Sequence, residues 1–385
     1  MKTMQNSYKK NVVSSLTLAS VVFFFLPVAF LFMADPCHIF HRPIPGIFNH
    51  GFTGDVRCQN AGFINTYLKN PQEAFDSIFI GTSLSGNFLP EHIAAKTPWK
   101  RTMKLTLPGG KPAELKIVTE RALASPNVRH VFGEVFPYQF LLYPSDDIKK
   151  IAKTDEFPLY LYNNSRLDDY RYLFNTSTLI SSIGILNGED YYNISPIEHI
   201  DYWKHDCLEE KTCIPFHKED AIQKIKSSYN KTNHLLKTAS EISTINYSAA
   251  DQYLLSTILP YCSSNISFDL FFPPVSLLWF ARQGTAEFDY QLYMLRYVVE
   301  KTSACGNIRV YAFNNELWIT GDLAHYHDPR HFYGGVQDYI IDSMASGKHL
   351  ITMDNIEAFE RLFIENVNNY VPWASTEEQL RNSIH

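Results

Sequence analysis

Apolar positions follow three different rhythms along this chain. From Asn11 to Ala34, "NVVSSLTLASVVFFFLPVAFLFMA" contains no charged residue. That run meets the roughly 20 apolar residues a membrane-spanning helix needs. Pro27 inside it is tolerable in a membrane helix. Residues 36–75 then keep no sustained period and read as an irregular lead-in with Pro, Gly and His. From Asp76 onward, short apolar runs alternate with amphipathic stretches.

The short runs "SIFIGT", "TMKLTL", "VRHVFGEV", "ISFDLFFPP" and "IRVYAF" suit five buried parallel strands. Helical patterns lie between them: "LPEHIAAK", "PAELKIVTERALAS" with Pro112 at its start, "SAADQYLLSTILPYC" and "EFDYQLYMLRYVVEKTS". Two more follow, "GVQDYIIDSMASG" and "NIEAFERLFIENVNNYV". Strands alternating with helices predict an α/β fold, a mostly parallel five-stranded sheet with helices on both faces. Residues 137–247, rich in Tyr, Asn, Ser and Asp, predict a mostly helical insertion, with helices near "IEHIDYW" and "KEDAIQKIKSSYNKTNHLLKTAS".

Charge adds an orientation. Lys2, Lys9 and Lys10 precede the apolar run, which puts the tail in the cytoplasm and everything after Asp35 outside. A cleaved signal peptide is the rival reading, but "AFLFMADP" offers a poor cleavage site. The organisation expected is a tail and transmembrane anchor over 1–35, a lead-in over 36–75, and one soluble body over 76–385. Net charge is −6 with no dense Lys/Arg tract, so nothing points to a nucleic-acid partner.

Six cysteines in an exported chain permit three disulfides. Proximity in sequence suggests Cys37–Cys58, Cys207–Cys213 and Cys262–Cys305, with other connectivities open. "HDCLEEKTCIPFH" also offers His205, Cys207, Cys213 and His217 as a zinc set, although the gap between its cysteines is wider than zinc sites usually show.

In an open α/β sheet, chemistry gathers outside the carboxyl ends of the strands. The first strand ends in Gly81-Thr82-Ser83-Leu84, and the second in "LPGG" with Gly109 and Gly110. The third ends in "GEVF", the fourth in Pro273-Pro274, and after the fifth comes "GDLAHYHDPRHFYGG". A serine needs a base to take its proton, and the base needs a carboxylate to orient it. Asp328 and His331 supply both on one loop for Ser83. Oxyanion donors would be the backbone N–H of Ser83 and that of Gly109 or Gly110. Ser85 is a rival nucleophile. Glu134 reads as a capping carboxylate or an acid/base. The aromatics of "FFPPVSLLWF" read as core and cleft wall, or as a surface for a sugar ring. A metal set of Asp322, His325, His327 and His331 is the alternative use of the late loop.

"GTSL" with a late "DPRH" resembles the SGNH, or GDSL-like, hydrolase superfamily. With the anchor, "IFIGTSLSGNF", "FFPPVSLLWF" and "DPRHFYGG", the resemblance narrows to its membrane-anchored cell-envelope members, such as those of teichoic-acid D-alanine transfer and alginate O-acetylation. It covers about residues 76–350. It implies a three-layer, flavodoxin-like α/β/α fold and a serine esterase or acyltransferase with Ser83 as nucleophile, His331 as base and Asp328 as its orienter. Gly109 matches the second-block glycine. No cofactor or metal is implied. The implied partners are a cell-envelope glycan or acyl donor, the membrane, and a membrane acyltransferase, with the body periplasmic or extracellular. Two departures stand out. Thr82 replaces the usual Asp, and Gly133-Glu134-Val135 stands where the family has Gly-x-Asn, so one oxyanion donor is missing. The alternative implied is a catalytically degenerate scaffold that binds glycan or a membrane partner.

Overall fold

The computed structural model describes residues 2–44, 55–144, 157–187, 231–326 and 328–372. The chain divides into two compact units, one of Met1–Tyr67 with Phe157–Ser195 and one of Leu68–Glu156 with Pro196–His385.

In the first unit, α1 (Lys2–Ser20) passes through a π-helical turn, Val21–Phe25, into α2 (Leu26–Ala34). The wide turn immediately precedes Pro27, whose ring would clash with a carbonyl four residues back and which has no N–H to donate. Lys10–Ala34 is one continuous apolar segment of 25 residues, long enough to cross a membrane. Asp35 ends it in a left-handed conformation (φ 37°). Its carboxylate accepts the N–H groups of Ile39, Phe40 and His41 at 2.9, 2.7 and 3.1 Å.

The expected irregular lead-in instead contains a helix, α3 (Val56–Gly62), continued by a π-helical turn, Phe63–Leu68. Asp55 caps it by accepting from Arg57 N at 2.8 Å. Gly62 is needed there, because a Cβ would fall 1.7 Å from the carbonyl oxygen of Cys37. Cys37 and Cys58 come together as neighbouring thiols rather than as a disulfide. Burial, then the Cys37 side chain, push the Cys58 thiol well above its ordinary value.

The second unit is built on a mixed α/β arrangement with a six-stranded sheet. The strands are β1 (Ser77–Gly81), β2 (Thr102–Thr106), β3 (His130–Glu134), β4 (Ser267–Phe272), β5 (Ile308–Ala312) and β6 (Leu350–Ile351), in the order β2-β1-β3-β4-β5-β6. The first five pair in parallel, and all five were expected. The sixth pairs antiparallel to β5 and corrects the count of five. Two residues are too short a run for periodicity to reveal. Every residue of β1, β2 and β3 is buried, so these strands show apolar runs rather than alternation. At the centre Phe79 stacks on Phe132 at 5.8 Å, and Phe88 and Phe271 close around them.

Helices fall where the patterns put them at α4 (Pro90–Lys96), α5 (Pro112–Leu123), α9 (Thr285–Thr302), α10 (Gly334–Ala345) and α11 (Ile356–Asn369), while α6 (Pro137–Leu142) and α8 (Leu277–Ala281) are short helices that no pattern singled out. In the first unit, α7 (Thr176–Leu186) follows the capping residue Asn175. The helix expected over "KEDAIQKIKSSYNKTNHLLKTAS" fails in its described part, because residues 231–238 are not helical. His234 N donates to the Asn368 side chain and His234 O accepts from it, both at 2.8 Å, so tertiary bonds replace helical ones. The rest of that segment, "IEHIDYW", and the candidate zinc residues His205, Cys207, Cys213 and His217 lie outside the described residues. Cys262 and Cys305 form the expected disulfide, joining the approaches to β4 and β5.

Candidate active site

The site starts at the end of β1. Gly81 leads into a single 3₁₀ turn, Ser83–Ser85, capped by Thr82, whose hydroxyl accepts from Leu84 N at 3.3 Å. Gly81 must be glycine. A Cβ there would lie 2.4 Å from Ser85 Oγ and 2.7 Å from Glu134 Oε2.

Three buried polar side chains hold this turn. Glu134, the last residue of β3, accepts from Thr82 N at 3.0 Å, from Thr82 Oγ1 at 2.6 Å and from Ser85 Oγ. Lys104 of β2 donates to the carbonyls of Gly86 and Phe88 at 2.5 and 3.1 Å. Gln337 of α10 donates to Leu84 O at 3.2 Å. Each satisfies backbone groups that the tight turn leaves without ladder partners. Burial raises the Glu134 carboxyl, and its three donors only partly offset that.

The His loop arrives from the other end of the chain. Tyr326 and Phe332 pair as an isolated antiparallel bridge, which closes the intervening loop like a small hairpin. Ser276, the residue capping α8, donates to Pro329 O from its hydroxyl at 2.7 Å and from its N–H at 3.2 Å. Tyr326 donates its hydroxyl to Pro274 O. Thus "PPVS" after β4 is the platform on which the loop sits.

Ser83 Oγ lies 2.8 Å from His331 Nε2. His331 Nδ1 lies 2.6 Å from Asp328 Oδ2. The other Asp328 oxygen accepts from the N–H groups of Arg330 and His331 at 2.8 and 3.1 Å. An ionised carboxylate only accepts, so the neutral imidazole carries its proton on Nδ1 and presents Nε2 as acceptor to the serine hydroxyl. Burial alone would raise the Asp328 carboxyl. The His331 hydrogen bond and charge, with the two backbone donors, outweigh it and hold the group well below the ordinary carboxylate range. The three residues therefore have the connectivity of an activated hydroxyl nucleophile.

Of the other expected residues, Ser85 is fully buried with its hydroxyl spent on Glu134. Its rival role as nucleophile falls on that geometry. Gly109 sits in the turn after β2 at φ +64° with open space where a Cβ would be. That turn starts level with the nucleophile, since Leu107 N donates to Gly81 O at 2.8 Å. The Ser83 N–H opens a 3₁₀ turn and so has no partner within it. Asp322 caps another 3₁₀ turn through Ala324 N at 2.9 Å. His325 packs edge-on against Trp318, and burial lowers its affinity for protons. His327 lies outside the described residues. Among the described residues no three His, Cys, Asp or Glu side chains are grouped to hold a metal ion.

Beside the triad, the Arg330 guanidinium lies 4.9 Å over the ring of Trp279, and Tyr138 meets that ring edge-on at 5.1 Å. Sequence reading missed Lys104 and Gln337 as supports. A lysine inside the apolar run "TMKLTL" was the available signal for the first.

No family model matches the chain, and no curated protein matches it.

Proposed function

We propose that this protein is a serine-dependent acyl-ester hydrolase or acyltransferase of the SGNH-like kind. The reading is carried by one observation: Ser83, His331 and Asp328, distant in sequence, form a continuous hydrogen-bonded series at 2.8 and 2.6 Å.

In this reading Ser83 Oγ attacks an ester carbonyl carbon while His331 Nε2 takes the hydroxyl proton. Asp328 keeps the imidazole in the required tautomer and stabilises the cation that forms. The backbone N–H groups of Ser83 and Gly109 receive the oxyanion. Collapse breaks the ester C–O bond, His331 gives its proton to the departing alcohol, and the acyl group remains on Ser83. Water or a glycan hydroxyl then attacks, again with His331 as base, and restores the free serine. Trp279 and Tyr138 offer an aromatic wall for a sugar acceptor. The finer architecture assumed is the three-layer, flavodoxin-like SGNH arrangement. The segment Lys10–Ala34 serves as an uncleaved anchor with the catalytic body periplasmic or extracellular, facing a cell-envelope polysaccharide and a membrane acyltransferase partner.

A second reading is favoured by Glu134. It occupies the strand end where the family places an asparagine donor, and removal of one oxyanion donor costs roughly 100–1,000-fold in rate. A silent scaffold that binds glycan would follow. Incubation of the full-length chain with 4-nitrophenyl acetate separates the two. Nitrophenolate release with an acetylated Ser83 peptide by mass spectrometry supports the enzyme. Release that persists unchanged in Ser83→Ala defeats it.

A further inference from the structure

We infer that α7 is a second membrane-embedded element, lying in the hydrocarbon layer beside the anchor helix. This inference rests on Lys10–Ala34 being membrane-inserted, and is independent of any catalytic role.

Four observations within the first unit carry it. First, α7 is apolar or small throughout, "TSTLISSIGIL", and no charge occurs between Arg171 and Glu189. Second, its large apolar side chains face outward. Leu179, Ile180, Ile183 and Leu186 are 42, 66, 45 and 62% exposed, and Phe174 just before it is 63% exposed. A soluble surface rarely gathers so contiguous an apolar patch. Third, α7 packs against α2, and Phe174 stacks on Phe24 at 6.2 Å. At 1.5 Å of rise per residue, Phe24 lies about 15 Å along the helix from Ala34. In a hydrocarbon layer about 30 Å thick, that is near its middle. Phe174, ring to ring with Phe24, then lies below the boundary and inside the layer. Fourth, the chain leading into α7 has the composition of an interface. Phe40, just past the anchor, packs on Tyr170 and Tyr172, and the Arg171 guanidinium lies over Tyr160. Aromatic belts with adjacent cations mark the membrane–water boundary.

An 11-residue helix rises only about 17 Å and cannot span the layer. Its interior backbone bonds are internal, Asn175 accepts from Ser177 N at its start, and Asn187 N bonds back to Ile183 and Gly184 at its end. The bonded middle of the helix therefore meets the rule that backbone polar groups be satisfied in the layer. The occupant of the exposed face is lipid acyl chain, continuous with the lipid around the anchor.

The test uses the full-length chain in phosphatidylcholine vesicles, with and without bromine near the middle of the acyl chains. Ile180→Trp and Leu186→Trp each add a reporter at an already exposed position, and Phe24→Trp reports on the anchor. We expect the added fluorescence of all three to be quenched by brominated lipid and shielded from aqueous acrylamide. If Phe24→Trp is quenched by lipid while Ile180→Trp and Leu186→Trp respond only to acrylamide, the α7 inference falls and the anchor stands. If all three respond only to acrylamide, both fall.

Discussion

The carboxylate of Glu134 accepts from both the backbone N–H and the hydroxyl of Thr82, at 3.0 and 2.6 Å. The two departures from the SGNH pattern that the sequence resembles are thus one arrangement. Thr82, before the proposed nucleophile, and Glu134, where that pattern has an asparagine, bind each other. Glu134 acts as a capping carboxylate that fixes the nucleophile turn from below.

Removal of that cap strands three donors, Thr82 N, Thr82 Oγ1 and Ser85 Oγ, in a buried place. Leaving a buried donor unsatisfied costs about 1–3 kcal/mol, and the turn can relax around some of them. We expect Glu134→Ala to lower unfolding stability by about 2–4 kcal/mol, read from urea titration. A loss under about 0.5 kcal/mol, the range of an ordinary surface change, would contradict the capping role.

The two carboxyls of the site give opposite pH dependences of stability. Asp328 is held below its ordinary value of 3.8, so its contribution is complete above that value and is lost as pH falls through the folded one. Glu134 is raised above its ordinary 4.5, so its contribution is complete below 4.5 and is lost as pH rises through the folded value. The melting-temperature deficit of Asp328→Asn should therefore be largest at neutral pH and shrink toward strong acid. The deficit of Glu134→Gln should be largest in acid and shrink as pH rises. Parallel profiles for both variants would contradict the assignment.

In the proposed mechanism Asp328 also orients the base. Asparagine in its place can donate rather than accept toward Nδ1 and so favours the wrong tautomer. Esterase activity of Asp328→Asn should fall by roughly 1,000–10,000-fold, as a lost orienting carboxylate does in other serine triads. Initial rates with 4-nitrophenyl acetate check this, and a loss under about tenfold would remove Asp328 from the triad.

The Cys262–Cys305 disulfide closes a separation of 43 residues. Loop-closure entropy for that length corresponds to about 4 kcal/mol. Reduction under native conditions, confirmed by mass spectrometry, should lower the melting temperature. An unchanged transition would show that the bond leaves folding energetics untouched.

The five parallel strands were legible because burial on both faces leaves uninterrupted apolar runs, as in "SIFIG". The contact of Ser83, His331 and Asp328 was legible because the roles proposed for them demand particular residue types at a strand end and on a short loop. The supports were not. Lys104 and Gln337 act on backbone carbonyls, and any long donor could do so, which leaves no spacing rule to read. The role of Pro274 and Ser276 in seating the His loop depends on β4 ending beside that loop, and this adjacency arises only in three dimensions. The break at His234 likewise comes from Asn368, 134 residues away.

The central claim is that His331 activates Ser83 as a nucleophile. The most direct measurement is covalent labelling of the full-length chain by a fluorophosphonate probe, with the modified peptide identified by mass spectrometry. We predict labelling on Ser83, its loss in Ser83→Ala, and a large drop in His331→Ala. Equal labelling of wild type and Ser83→Ala would contradict the account.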